Sequence, residues 1–226
     1  MKIRKPMALL LAATVLSVPV SASAGLGGLA GMGKKMLGDG SDSGVSSADA
    51  GSFLDGAMSS TKNVMISAAL LAQALKDRDG LASQSEEIAA IKNAQNFGEL
   101  NAHKGKMQEN FAVLNEQGAM SDKMTAAYQT GNAKQKAVIG TALANLALGV
   151  MRNVKLAGAA PGMLQSVGTN PQLMTRMGEF KNAASLLGMQ GKGLGTIGAA
   201  LPKLMTGLKI KPLPEAETTK PVEVSV

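Results

Sequence analysis

Residues 137–151 carry no charge, and Lys136 and Arg152 bracket them. As an α-helix these 15 residues fall short of the ~20 needed to cross a bilayer. Thr141 and Asn145 also interrupt the apolar surface. Ile139, Leu143, Leu146, Val150 and Val154 recur at helical spacing, with Gly140, Ala144 and Ala147 beside them. The stretch predicts a buried central helix of a soluble bundle, whose small residues let a neighbouring backbone come close.

The same periodicity runs through most of the chain. Leu54, Met58, Met65, Ala68, Ala72 and Leu75 form one face of a helix that begins just after Asp49 and stops at Asp77-Arg78-Asp79-Gly80. Ser83 and Glu86 have the spacing of a capping box, followed by Ile88 and Ile91. After Phe97-Gly98, the residues Leu100, Met107, Phe111 and Leu114 make another helical face, which Gly118 ends. Ser121-Asp122 reads as the cap of a shorter helix carrying Met124 and Tyr128, and Gly131-Asn132 breaks the chain again. Ala160-Pro161-Gly162 and Thr169-Asn170-Pro171 read as turns, each proline opening a short helix. A basic amphipathic helix follows over 171–189, with Leu173, Met177, Phe180, Ala184 and Leu187 on one side. No segment alternates with a period of two over a strand's length. With aromatics at 2%, the core must be filled by Leu, Ala, Met and Ile. The expected fold is all-α, an irregular antiparallel helical bundle.

The ends read differently. Lys2, Arg4 and Lys5 precede an uncharged apolar stretch over 7–20, and Ala22-Ser23-Ala24 supplies an A-x-A cleavage site. That pattern predicts a signal peptide over 1–24, cleaved on export. Residues 25–47 form a Gly/Ser-rich leader, 48–211 the helical domain, and 212–226 a Pro-rich tail expected to be disordered. The chain has no cysteine, so neither a lipidated N-terminal Cys nor a disulfide is available. A bacterial periplasm or cell envelope, with the protein peripheral to a membrane, is the expected destination.

Charge is unevenly spread. The three basic residues of the signal segment, Lys2, Arg4 and Lys5, contribute to the net +7, leaving about +4 for the rest. Between 152 and 211 there are eight basic residues and one acid, Glu179, whereas 49–123 holds ten acids and seven bases. With one Tyr and no Trp to stack on bases, nucleic acid is not an expected partner. Anionic lipid head groups or an acidic protein surface suit the basic half better.

Gly193-Leu-Gly195-Thr-Ile-Gly198 matches G-x-G-x-x-G literally. In a dinucleotide site those glycines follow a buried strand and open a helix. Here helix formers precede them and no βαβ unit surrounds them, so no nucleotide is expected. The glycines have two readings left. They belong to a flexible amphipathic segment that meets lipid, or they allow close helix crossing with lysines on the solvated side. Pro202 would kink or divide a helix there.

Met174 with Met177, and Met120 with Met124, have a spacing that thioether copper ligands could use. The methionines are scattered, however, and suit a core short of aromatics; no metal and no cofactor is expected. His103, the single histidine, lies beside the Leu100–Met107 stripe, and Glu86-Glu87 suits helix-dipole chemistry. No catalytic residue is assigned, and the protein is expected not to be an enzyme.

The sequence therefore points to a helical cell-envelope protein whose basic half contacts anionic lipid or holds an apolar, acyl-type ligand. Lys192, Lys203, Lys209 and Lys211 would meet head-group charge, with Leu194, Ile197, Leu201 and Leu204 as the inserting face. The alternative is a scaffold or assembly protein that binds a protein partner through helix packing, using 137–151 and the Pro-rich tail.

Overall fold

The computed structural model describes residues 46–76 and 85–213. The signal segment, most of the leader, the expected stop at 77–80, Ser83 and the tail from 214 lie outside the described residues. Among the described residues the fold is all-α with no strand, as eight helices packed on one another. They are α1 (Ser47–Lys76), α2 (Ser85–Asn93), α3 (Phe97–Ala102), α4 (Lys104–Asn115), α5 (Met124–Thr130), α6 (Ala133–Thr169), α7 (Pro171–Met174) and α8 (Met177–Gly207).

Local chemistry sets the starts. At α1 the Ser46 hydroxyl accepts from the Asp49 amide at 3.1 Å, and Asp49 accepts from the Ser46 amide and hydroxyl. Asn132 and Gln135 form a reciprocal capping box at α6. Asn170 caps α7 by accepting from the Gln172 amide at 3.0 Å, and Pro171, which has no N–H to satisfy, fills the first turn. Ser121-Asp122 does not start α5. A π turn over Ala119–Lys123 already runs into it from Gly118, which takes a positive φ of 74°. The chain is thus helical before the expected cap is reached.

Two expected breaks are absent. Pro161 lies inside α6 and Pro202 inside α8. Both rings face solvent, where the carbonyl one turn back loses its N–H partner with water at hand. Buried neighbours hold the helices straight through: Leu156, Ala160, Met163 and Val167 around one proline, Leu201 and Leu204 around the other. Tertiary packing overrides a local penalty of about 3 kcal/mol.

The helix enclosed on every side is α1. Residues 63–72 are all buried, which is tolerable because Ser67, Ala68, Ala69 and Ala72 keep its girth small. Its largest contact is with α6, and α6 in turn packs along α8. Val64 meets α6 at Gly149, where a Cβ would lie 2.5 Å from the valine methyl. α6 is long and apolar enough, by length and composition, to cross a bilayer, and here it serves as a core helix with one side open. Ile139, Leu143 and Leu146 are buried as expected, but Val154 is 69% exposed. The expected five-residue stripe therefore ends at Val150, because α8 covers only the flank that Val150 and Asn153 present.

Phe53 of α1 stacks on Phe180 of α8 at 6.0 Å. Leu100, Met107, Phe111 and Leu114 are all buried, although a break at His103 splits their segment into α3 and α4. Lys62 donates to the Lys92 carbonyl at 2.9 Å, at the C-terminal end of α2 where the helix dipole favours a cation. Partial burial lowers its pKa, and the Glu99 carboxylate opposes that shift.

Candidate functional site

The basic half is organised by α8, and α8 is a helix despite its composition. Its seven glycines include all three of the G-x-G-x-x-G match, each costing about 1 kcal/mol in a helix interior. What offsets them is burial. Phe180, Ala183, Leu186, Leu187, Leu194, Ile197, Leu201, Leu204 and Met205 all pack into the core.

The individual glycines have different surroundings. A Cβ on Gly193 would lie 2.2 Å from the Phe111 ring, and one on Gly198 would lie 3.1 Å from Val150. A Cβ on Gly195 would meet nothing within 4 Å. Gly193 also accepts, through its carbonyl, a hydrogen bond from the Asn115 amide at 2.9 Å. The match is therefore a mid-helix crossing point against α4 and α6. Its amides sit inside a continuous helix instead of opening one, so they form no phosphate cradle.

A buried polar clamp sets the rotation of α8 about its axis. Gln190 donates to the Thr61 hydroxyl at 2.9 Å and accepts from the Asn153 amide at 3.1 Å; that amide also donates to the Leu187 carbonyl. All three side chains are buried, and they tie α1, α6 and α8 at one level. Sequence reasoning missed Gln190. Its signal was a polar residue at core spacing between Leu187 and Leu194. Replacing Gln190 with Leu is expected to lower stability by about 1–3 kcal/mol, since the Thr61 hydroxyl loses its buried partner. Urea unfolding of the two proteins checks this.

With α8 so oriented, the eight expected contact residues separate. Lys192, Lys203, Lys209 and Lys211 are exposed. Leu194, Ile197, Leu201 and Leu204 are between 1% and 6% exposed. This corrects the expectation of an inserting leucine face: those side chains are used to hold α8 on the bundle. An acyl chain gripped by them would have to displace the core.

What remains outward is a row of cations. Lys181, Lys192 and Lys203 are 11 residues apart, so they line up within about 20° per step and about 16.5 Å apart along the axis. Lys181 was not among the expected contacts, although its spacing was readable. The single acid of the basic half, Glu179, is held by Arg176 at 2.9 Å. Among the described residues no ion pair holds Lys181, Lys192, Lys203, Lys209 or Lys211.

Lys209 sits in the left-handed region, with φ of 56°. It occupies the position after α8 where glycine is usual. The Ile210 amide reaches the Met205 carbonyl at 2.9 Å and the Lys209 amide reaches Thr206 at 3.1 Å, as a Schellman closure requires. A lysine there costs about 1 kcal/mol relative to glycine.

Other candidate positions stay apart. Met120 and Met124 are core side chains, Met174 is exposed and Met177 half-buried. His103 is half-buried at the α3–α4 junction. Glu86 and Glu87 occupy the first turn of α2, where the dipole favours them. Among the described residues no three His, Cys, Asp or Glu side chains come together to hold a metal. No protein-family model, curated protein or solved structure matches this chain.

Proposed function

We propose that this is an exported, non-enzymatic protein of the cell envelope that attaches to anionic lipid through the lysine side of α8. One observation carries the reading. The exposed side of a 31-residue helix presents aligned lysines while the neighbouring acid is neutralised by Arg176. Cations near an anionic leaflet contribute about 1 kcal/mol each. The leucines expected to insert are withdrawn into the core, so attachment is mainly electrostatic and reversible. A second reading, a scaffold that binds a protein partner by helix packing, is favoured by the exposed apolar side chains of Met151 and Val154 on the outer side of α6.

Co-sedimentation with anionic and neutral vesicles tests the proposal. Binding to anionic vesicles that falls with salt is expected, because exposed charges are screened over ~8 Å at physiological ionic strength. Absence of binding at low salt favours the scaffold. Lys209 offers a sharper case. Lys209→Gly is expected to raise stability by about 1 kcal/mol through relief of the left-handed backbone. The same change should weaken anionic-vesicle binding about fivefold, since one cation is lost. A thermal melt and a vesicle titration of the same sample check both directions.

A further inference from the structure

We infer that the membrane-facing side comprises two helices: α8 supplies the lysines, and the outer strip of α6 enters the head-group boundary. This rests on the anionic-lipid reading above. The strip is Ala147, Met151, Val154, Gly158 and Pro161. Met151 and Val154 are 45% and 69% exposed, and the other three are exposed or half-buried.

Two contacts place the strip beside the lysine row. The side chain of Val150 lies 3.1 Å from where a Cβ on Gly198 would be, and Asn153 Oδ1 lies 3.4 Å from the same point on Gly191. Val150 and Asn153 therefore mark the flank of α6 that touches α8. Val154 and Ala147 are about 40–60° further round, toward solvent. Val154 follows Asn153, which meets Gly191 immediately before Lys192. The exposed positions of α8 on that side include Gly188, Gly191, Gly195 and Ala199. Little side chain stands between the strip and the lysines.

Charge identifies the occupant. From 137 to 169 the charged residues are Arg152, which is buried, and Lys155, which is exposed; there is no acid. Scattered exposed apolar residues are ordinary on a soluble surface. Here five uncharged positions run along one helix beside a row of cations, the pattern of a surface that lies in a lipid interface. An anionic bilayer satisfies both parts: phosphates meet Lys181, Lys192 and Lys203, and Met151 and Val154 reach the acyl boundary.

The chain has no cysteine, so single labels can be placed cleanly. Val154→Cys, Met151→Cys and, on α2, Glu86→Cys would each carry an environment-sensitive fluorophore. Each is mixed with vesicles of phosphatidylglycerol and phosphatidylcholine in equal parts, with and without brominated acyl chains. Blue-shifted, bromine-quenched emission is expected at 151 and 154 and not at 86. Val154→Asp should weaken vesicle binding about tenfold or more, as an apolar side chain is lost and a carboxylate added. If the labelled proteins co-sediment but the probe at 154 stays in water, this inference is overturned and lysine attachment stands. If unlabelled protein fails to co-sediment, the attachment reading falls and this inference with it. A probe at 154 that shifts without lipid as protein concentration rises assigns the strip to a second copy, which also overturns it.

Discussion

Gly193→Ala is expected to destabilise the protein by about 1–3 kcal/mol, whereas Gly195→Ala is expected to stabilise it by about 1 kcal/mol. The two positions lie two residues apart in one helix and both belong to the G-x-G-x-x-G match. A methyl on Gly193 would fall 2.2 Å from the ring of Phe111. That ring is buried, so it has no free space to swing into and α4 must shift. A methyl on Gly195 would point into open space, leaving only the gain in helix propensity. Chemical denaturation of both variants and the parent separates the effects. A nucleotide-binding loop would not tolerate Gly195→Ala as a stabilising change, because there the first glycine serves the tight turn and the second the backbone's approach to the pyrophosphate. Equal losses at the two positions would refute the crossing-point account. Gly149, opposite Val64, belongs with Gly193 in this respect.

Replacing Lys181, Lys192 and Lys203 together with Gln is expected to cut affinity for anionic vesicles by more than 100-fold. Three cations at about 1 kcal/mol each total about 3 kcal/mol, and every 1.4 kcal/mol is about tenfold. The melting temperature should barely move, since all three are exposed and hold no ion pair among the described residues. Surface substitutions of this kind usually change stability by less than about 0.5 kcal/mol. The salt dependence of what binding remains should also flatten. Parent-like binding by the triple variant would move the anionic contact elsewhere on the molecule.

Much of the architecture could be read from residue spacing. The all-α class followed from helical periodicity and from the absence of alternation; the face through Leu100 is buried throughout, and those through Leu54 and Leu173 face the core with Met58, Leu75, Met177 and Ala184 only half-buried. The helix formers before Gly191 pointed to a helix, not a strand, leading into the G-x-G-x-x-G match, and α8 runs through it. The boundaries were less legible. Ser46 with Asp49 and Asn132 with Gln135 are capping pairs whose spacing is legible in the sequence, while Pro161 and Pro202 have the look of stops and lie inside helices.

Within the candidate site, residue type announced the lysines but not the fate of their neighbours. An amphipathic helix has the same pattern whether its apolar side meets lipid or a protein core. Only packing decides, and it placed Leu194, Ile197, Leu201 and Leu204 inside.

Chemistry that depends on a residue and its near neighbours along the chain was settled by composition and order: helix as the element, a basic end, an 11-residue lysine step. What depended on distant partners was settled by the assembled bundle. Phe111 gives Gly193 its meaning from 82 positions away, and Thr61 reaches Gln190 across 129. No local pattern encodes those meetings, since they exist only once α1, α4, α6 and α8 exclude water together.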